Sequence, residues 1–266
     1  MTTAESTDRF GLVPAEAVIA QCLRVQATVP ARSALTRVFG RSPLSSDSRP
    51  WYLGALGELR VAEQLATLGP DWTALHSVPI GDRGSDIDHV VLSPAGLFTV
   101  NTKFHEDARV WVGSKRLLVN GQKTDHLRNS RFEAERVARR LTQVVGIPVD
   151  VTPIIVIVDA RSITIREQPD DVVVLRESEL ARWLRRRPVT IRDPDLTIIG
   201  QAVARRDTWL PTPAATAVLE MSGFEQLRRE VGAARRVKLA WASAAFLAFL
   251  TAAASAGFTA FASLVG

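Results

Sequence analysis

The chain has 266 residues, of which 46% are hydrophobic and 23% are charged. This balance is typical of a globular protein and excludes a largely disordered one. The single cysteine, Cys22, excludes an intrachain disulfide and any metal site built from several cysteines, and it favours a reducing compartment. The net charge of +5 favours anionic partners, either nucleic acid or an anionic membrane surface.

The first 50 residues are predicted to be a peripheral segment and linker. A short helix is predicted between Pro14 and Val29, and the polar, Pro/Ser-rich stretch from Arg41 to Pro50 is predicted to be a linker. Leucine and valine then recur at helical spacing from Trp51 to Leu68, and Gly69-Pro70 ends the pattern. A helix is therefore predicted over this stretch.

Residues 51–187 alternate between strand and helix patterns. Two of the predicted strands, Asp86–Leu92 and Leu97–Lys103, are separated by Ser93-Pro94-Ala95-Gly96, a turn of hairpin length. The other predicted elements are, in chain order, a strand at 72–80, a small hairpin at 109–119, a helix at 127–145, a central strand at 151–158, a strand at 172–175 and a helix at 177–187. This order predicts a mixed-sheet α/β domain.

Charged side chains occupy matching places on the two hairpin strands. Because side chains alternate along a strand, Asp86 and Asp88 share one face, and Asn101 and Lys103 share a face of the next strand. We expect Asp88, Asn101 and Lys103 to cluster near the edge of the sheet, with Glu58 added from the preceding helix. A hard cation such as Mg²⁺ takes oxygen ligands of this kind together with waters and substrate phosphate.

These motifs resemble the nuclease-related domain, NERD, of the PD-(D/E)xK nuclease-like superfamily. The resemblance rests on Glu58 in a Gly-Glu helix, on Asp88 within "DIDHVV", on the Pro-x-Gly turn and on Lys103 at the end of "NTK". It implies a restriction-endonuclease-like mixed sheet flanked by helices and a Mg²⁺- or Mn²⁺-dependent phosphodiesterase that processes DNA. It also implies that Asp88 is a metal ligand, Lys103 the catalytic lysine and Glu58 an added acidic ligand.

Asn101 departs from this family pattern, which has Asp, Glu or sometimes Gln at that position. An asparagine offers a neutral carbonyl oxygen, so it can ligate Mg²⁺ but removes a charge that is worth about 1–3 kcal/mol to the site. The predicted metal ligands are Glu58, Asp88, Asn101 and Asp86, the last as a substitute carboxylate. The alternative is a catalytically degenerate module that binds nucleic acid or protein at the membrane.

The helix at 127–145 and the small hairpin carry the predicted nucleic-acid contacts. Cations on these elements are expected to contact phosphates, namely Lys115, Arg116, Arg128 and Arg131. Glu133 and Glu135 interrupt the arginines of the helix, which favours an ordinary solvated face as the alternative. His76, His105 and His126 show no metal-ligand spacing, and His89 is predicted to be structural.

The C-terminal part is predicted to anchor the protein in a membrane. Residues 188–238 are predicted to connect the α/β domain to this anchor, with a helix over 193–209 and a basic stretch up to Lys238. No charged residue occurs from Leu239 to Val265, a run longer than the roughly 20 residues that span a bilayer as a helix. The basic residues on its N-terminal side predict a cytoplasmic main domain with a single-pass anchor at 239–265. A buried core helix and a helix that mediates oligomerisation are the alternatives.

Overall fold

The computed structural model describes residues 13–80, 86–209 and 221–265, with side chains as far as Ala254. The chain divides into two compact units: one comprises Met1–Ala20 and Trp51–Val218, and the other Gln21–Pro50 and Leu219–Gly266. The predicted loop at 81–85 lies outside the described residues. The predicted division into four segments stays a prediction.

The fold is the mixed α/β architecture that the sequence predicts. The helices are α1 (Glu16–Gln26), α2 (Ala34–Val38), α3 (Ser48–Ala66), α4 (His126–Val145), α5 (Leu180–Arg185), α6 (Asp193–Ala204), α7 (Arg206–Trp209) and α8 (Met221–Val265). The strands are β1 (Thr73–Pro79), β2 (Asp86–Ser93), β3 (Gly96–Phe104), β4 (Arg109–Gly113), β5 (Arg116–Val119), β6 (Gln122–Thr124), β7 (Thr152–Val158), β8 (Ser162–Ile165) and β9 (Val173–Arg176). The sequence patterns did not predict α2, β6 and β8.

The strands form two sheets. A five-stranded sheet has the order β1-β2-β3-β7-β9, in which β1, β2 and β3 are antiparallel neighbours and β7 and β9 continue in parallel. A four-stranded sheet has the order β6-β5-β4-β8. The predicted hairpins are β2–β3 and β4–β5, and the predicted closing helix at 193–209 is the pair α6 and α7.

Helices cover both faces of the five-stranded sheet. On one face, Val61 and Leu65 of α3 and residues of α5 pack against Phe98 and Val100 of β3. On the other, Val137 and Leu141 of α4 and residues of α6 pack against β2 and the start of β3. The N-terminal end of α4 and one face of β7 cover the inner face of the four-stranded sheet. The hairpin that carries the predicted site therefore lies inside the first unit.

The helix α8 contains a candidate membrane span. Its described apolar part lies within Met221–Ala254, and none of the residues in its most apolar window is buried. Large side chains there, such as Phe246 and Phe249, are more than half exposed. A core helix would bury such side chains, so the core-helix alternative does not fit the described part of α8.

Candidate functional site

The five-stranded sheet opens between β2 and β3 at the predicted site. Pairing of the two strands runs from Ser93↔Gly96 to His89↔Val100. Beyond that point β3 pairs with β7 as far as Phe104, and the start of β2 pairs with β1. We call this opening the fork and define it by residues 86–88 and 101–103. The predicted cluster thus lies in the interior of the sheet, and the expectation that it lies near an edge is wrong.

Asp88 occupies the point where the ladder of hydrogen bonds ends. Its Oδ2 accepts a hydrogen bond from the backbone N–H of Thr102 at 2.5 Å. Because the pairing of β2 with β3 ends at His89↔Val100, this N–H does not bond to a backbone carbonyl of β2. Burial raises the pKa of Asp88, while Lys103 and this hydrogen bond act in the opposite direction. The backbone therefore fixes the orientation of the carboxylate inside the fork.

Glu58 approaches the fork from α3. The helix comes close to β3 because Gly57 has no side chain: a Cβ there would lie 3.1 Å from Cγ2 of Thr102. Glu58 is only 7% exposed. Its pKa is raised to about 9, chiefly by burial and then by the charge of Asp88, while Lys103 opposes the shift. The carboxyl group is therefore neutral at pH 7 unless a cation stabilises its charge.

Glu133 approaches from α4, on the opposite face of the sheet. Its Oε2 accepts a hydrogen bond from Nδ2 of Asn101 at 2.5 Å. Oδ1 of Asn101 is buried and has no hydrogen-bond partner among residues 13–80, 86–209 and 221–254, which is rare for a buried carbonyl oxygen. Burial raises the pKa of Glu133, the hydrogen bond from Asn101 opposes this shift, and Asp88 adds to it.

Sequence reasoning treated Glu133 as a surface acid. The buried stripe of α4 consists of Leu127, Ser130, Ala134, Val137 and Leu141, and Glu133 lies directly beside it. An acid that flanks the buried stripe of an amphipathic helix is a signal that was present in the sequence. The partner, Asn101, could not be identified without the packing of α4 against β3.

Lys103 is the cation that these carboxylates share. It lowers the pKa of Glu58, Asp88 and Glu133 alike, so its ammonium group acts on carboxylates from three different elements. Asp86 joins them at the start of β2, where burial raises its pKa to about 6, with further contributions from Asp88 and Glu16. Asp86 is thus linked to Asp88 and Glu58 through their charges, and Asn101 to Glu133 through a hydrogen bond, while the assignment of these residues as metal ligands stays a prediction. Among the residues it describes, no three His, Cys, Asp or Glu side chains form a group that could hold a metal ion.

The histidines form two pairs that the sequence did not predict. Nδ1 of His76 lies 2.8 Å from Nδ1 of the fully buried His89. Nε2 of His105 lies 3.2 Å from Nε2 of His126. Burial lowers the pKa of His126 to about 4, with smaller contributions from Lys103 and His105. Both histidines of this second pair are therefore neutral at pH 7, beside the lysine of the fork.

The predicted nucleic-acid contacts fall into two classes. Arg131 donates two hydrogen bonds to Asp171, at 2.6 and 2.8 Å, and Arg128 lies 3.1 Å from Asp125. Lys115 and Arg116 are exposed on the β4–β5 hairpin, and the ion pairs found among the described residues do not involve them. The hairpin cations are therefore the more accessible ones.

The comparison with protein families agrees with this geometry. Residues 53–158 match the model of the nuclease-related domain, and this range contains α3, the fork and β7. No match was found among curated proteins or among solved structures. Residues 53–158 of this chain are thus similar to the nuclease-related domain, whose general kind is PD-(D/E)xK nuclease-like.

Proposed function

We propose that this protein is a divalent-cation-dependent phosphodiesterase that acts on nucleic acid and is held at a membrane by α8. One observation carries the proposal: a buried carboxyl group of α3 and half-buried ones of β2 and α4 all feel the charge of a single lysine at an opening in the sheet. Buried charges are costly unless they are paired or bind a metal. A buried site with more carboxylates than nearby ammonium groups suits a cation.

The residues of the fork fit Mg²⁺ or Mn²⁺ by their chemistry. Asp88 and Oδ1 of Asn101 would hold the ion, with Glu58 and Asp86 beside them. The unpartnered buried oxygen of Asn101 is the observation that favours a ligand here. Mg²⁺ is usually held by one or two carboxylates, with waters and substrate phosphates completing the shell, so three preformed acidic ligands are not required. A bound divalent cation would supply a water of lowered pKa and would offset charge on the phosphate.

The chain's own groups have separable roles in this proposal. The N–H of Thr102 holds the Asp88 carboxylate in one orientation. Lys103 offsets the negative charge that develops on the phosphate, because an ammonium group in a partly buried site is preorganised for that charge. Glu133 is a positioning residue: it fixes the amide of Asn101 by accepting from Nδ2, which leaves Oδ1 as the free oxygen.

The outer face of the four-stranded sheet suits the nucleic-acid strand. Trp111 is 37% exposed, and its indole lies over Gly113, where an added Cβ would meet Cη2 at 2.5 Å. Strand alternation and register place four exposed cations on the same face, namely Arg109, Arg116, Lys123 and Arg166. Bases stack on such aromatic rings while cations follow the backbone.

A cleavage assay on the full chain in lipid nanodiscs tests the proposal. Labelled single- and double-stranded DNA and RNA are incubated with Mg²⁺ or Mn²⁺. We expect cleavage that stops with a chelator and falls by at least about 100-fold in Asp88→Asn. The matched control is Asp170→Asn, the same change at an exposed aspartate, which should cleave normally. Absence of cleavage by the wild type under every condition would overturn the enzyme assignment.

The pair Asn101 and Glu133 allows a sharper test. Asn101→Asp alone places its carboxylate in contact with that of Glu133. Asn101→Asp combined with Glu133→Gln keeps an amide–carboxylate hydrogen bond but moves the negative charge from α4 to β3. We expect the double variant to bind Mg²⁺ more tightly than the wild type, measured by calorimetry. Equal affinity would show that Asn101 does not contact the ion.

The second candidate function is a nucleic-acid-binding module without catalysis. Asn101 favours it, because a neutral amide stands where the family pattern has an acid. In the same assay this candidate gives no cleavage but retains binding that depends on Trp111 and the sheet cations. The two functions are therefore distinguished by one set of proteins and substrates.

A further inference from the structure

The short helix α2 exposes an unusual amount of apolar surface. None of its residues is buried. Leu35 is 71% exposed, Val38 55% and the following Phe39 62%. Arg37 and Arg41 flank these side chains. Large apolar side chains clustered on a surface in this way mark a site of contact with a protein or a membrane.

Specific contacts hold this segment against α8. The indole N–H of Trp241 donates to the carbonyl oxygen of Val38 at 2.8 Å, and the rings of Phe39 and Trp241 lie 5.8 Å apart. Gly40 has a φ of +66°, and a Cβ there would lie 2.5 Å from the backbone nitrogen of Lys238. Only glycine permits this close approach, so α2 is fixed to one level of α8.

That level is the point where α8 changes from charged to apolar. Lys238 is the last charged residue before the uncharged stretch that begins at Leu239. Tryptophan is enriched at the boundary between water and the bilayer, where its ring is buried and its N–H finds a polar partner. Trp241 is 51% exposed and is the first aromatic residue of that stretch.

We propose that α2 and the turn through Gly40 form a shallow membrane contact that lies in the headgroup layer of an anionic bilayer beside α8. Leu35, Val38 and Phe39 enter the boundary between headgroups and acyl chains, and Arg37 and Arg41 remain among the phosphates. The partner that fits this surface is lipid, because the apolar residues of α2 continue the apolar surface of α8. The inference rests on α8 as the membrane span of the proposed function.

Depth-dependent quenching in lipid tests the contact. The full chain carries Leu35→Cys labelled with an environment-sensitive dye and is reconstituted into vesicles of phosphatidylcholine and phosphatidylserine. Cys22 is fully buried, so the unsubstituted chain gives the labelling background. We expect a blue-shifted emission and stronger quenching by a shallow spin-labelled lipid than by a deep one.

Two further positions serve as controls. Thr28, the position of the Thr28→Cys label, is exposed, and the neighbouring Ala27 lines a groove with Leu227 of α8. Leu227 lies roughly 21 Å along α8 from Trp241, at 1.5 Å per residue. The dye at Thr28→Cys should emit as in water. Leu247→Cys, on the exposed apolar part of α8, should be quenched most by the deep spin label.

The outcomes separate this inference from the anchor itself. A quenched dye at Leu247 with an aqueous spectrum at Leu35 overturns the α2 contact but keeps the span. An aqueous spectrum at both positions overturns both. A blue-shifted Leu35 dye that neither lipid quenches indicates a protein contact instead and also overturns the proposal.

Discussion

The five-stranded sheet is covered by helices on both faces, whereas the described residues cover the four-stranded sheet on one face only. Polar groups inside the first sheet have little access to water, so each must find a partner or bind a ligand. Within the described residues the fork is one of the places where this demand is not met, as Oδ1 of Asn101 shows. On the second sheet, Trp111 and its neighbouring cations remain in water. The same unit thus combines a largely buried cluster of titratable groups with an exposed aromatic and cationic surface.

The largest expected difference between the sheets is in stability. Ile155 of β7 is fully buried and Ile165 of β8 is 38% exposed. Ile155→Ala should lower the free energy of unfolding by about 2–5 kcal/mol, and Ile165→Ala by less than about 1 kcal/mol. Thermal unfolding of the full chain in detergent measures both. Equal losses would contradict the difference in burial between the two positions.

A second test compares one lysine from each sheet. Lys103→Met should lower the cleavage rate at saturating substrate by about 100-fold, because the fork loses its shared cation. Lys123→Met, on the outer face of β6, should weaken binding of nucleic acid and leave that rate unchanged. Single-turnover kinetics separates the two quantities. A lower saturating rate in Lys123→Met would mean that the two surfaces are not distinct.

A third test uses the pKa of Glu58. Its folded value of about 9 lies above the ordinary 4.5, so between these pH values the folded state binds a proton that the unfolded state lacks. Stability therefore falls as pH rises through this range, by up to about 1.4 kcal/mol per pH unit. We expect Glu58→Gln to remove this fall, measured as melting temperature against pH with a chelator present. Parallel curves for the two proteins would contradict the pKa shift.

The smallest expected effect is at Gly113. Gly113→Ala places a Cβ where the indole of Trp111 lies, so the ring must move from its position on the sheet. We expect single-stranded DNA to bind roughly threefold more weakly. This loss of binding free energy is a fraction of the ~1–3 kcal/mol that stacking of one base contributes. Fluorescence anisotropy with a labelled oligonucleotide measures this. The control Gly232→Ala lies on α8, where the added Cβ meets only the end of the Arg236 side chain at 3.6 Å, and it should bind normally.

The sequence predicted the elements that have strong periodicity. The alternation of β2 and β3, the turn between them and the leucine spacing of α3 are local patterns, and each gave the correct element. The strand β8 was missed because Ser162–Ile165 has only four residues and lacks a buried face. It depends on pairing with β4, which is distant in sequence.

The site residues stay a prediction, and the sequence could suggest their types but not their arrangement. Asp88, Asn101 and Lys103 could be placed together because strand alternation fixes their faces. The end of the β2–β3 pairing, the contact between Asn101 and Glu133 and the approach of His126 to His105 depend on how α4 packs on the sheet. No local pattern contains that packing, so the fork and its fourth carboxylate could be found only in three dimensions.

The helix α8 continues without a break through 45 residues, from Met221 to Val265, a length of about 68 Å. Its charged and apolar parts are therefore one rigid rod without a joint. A span longer than the local bilayer thickness tilts to match it. If α8 spans a bilayer as proposed, such a tilt also turns its charged part, so the angle between residues 221–238 and the membrane surface would depend on the thickness of the lipid. Vesicles of graded acyl-chain length would then vary that angle.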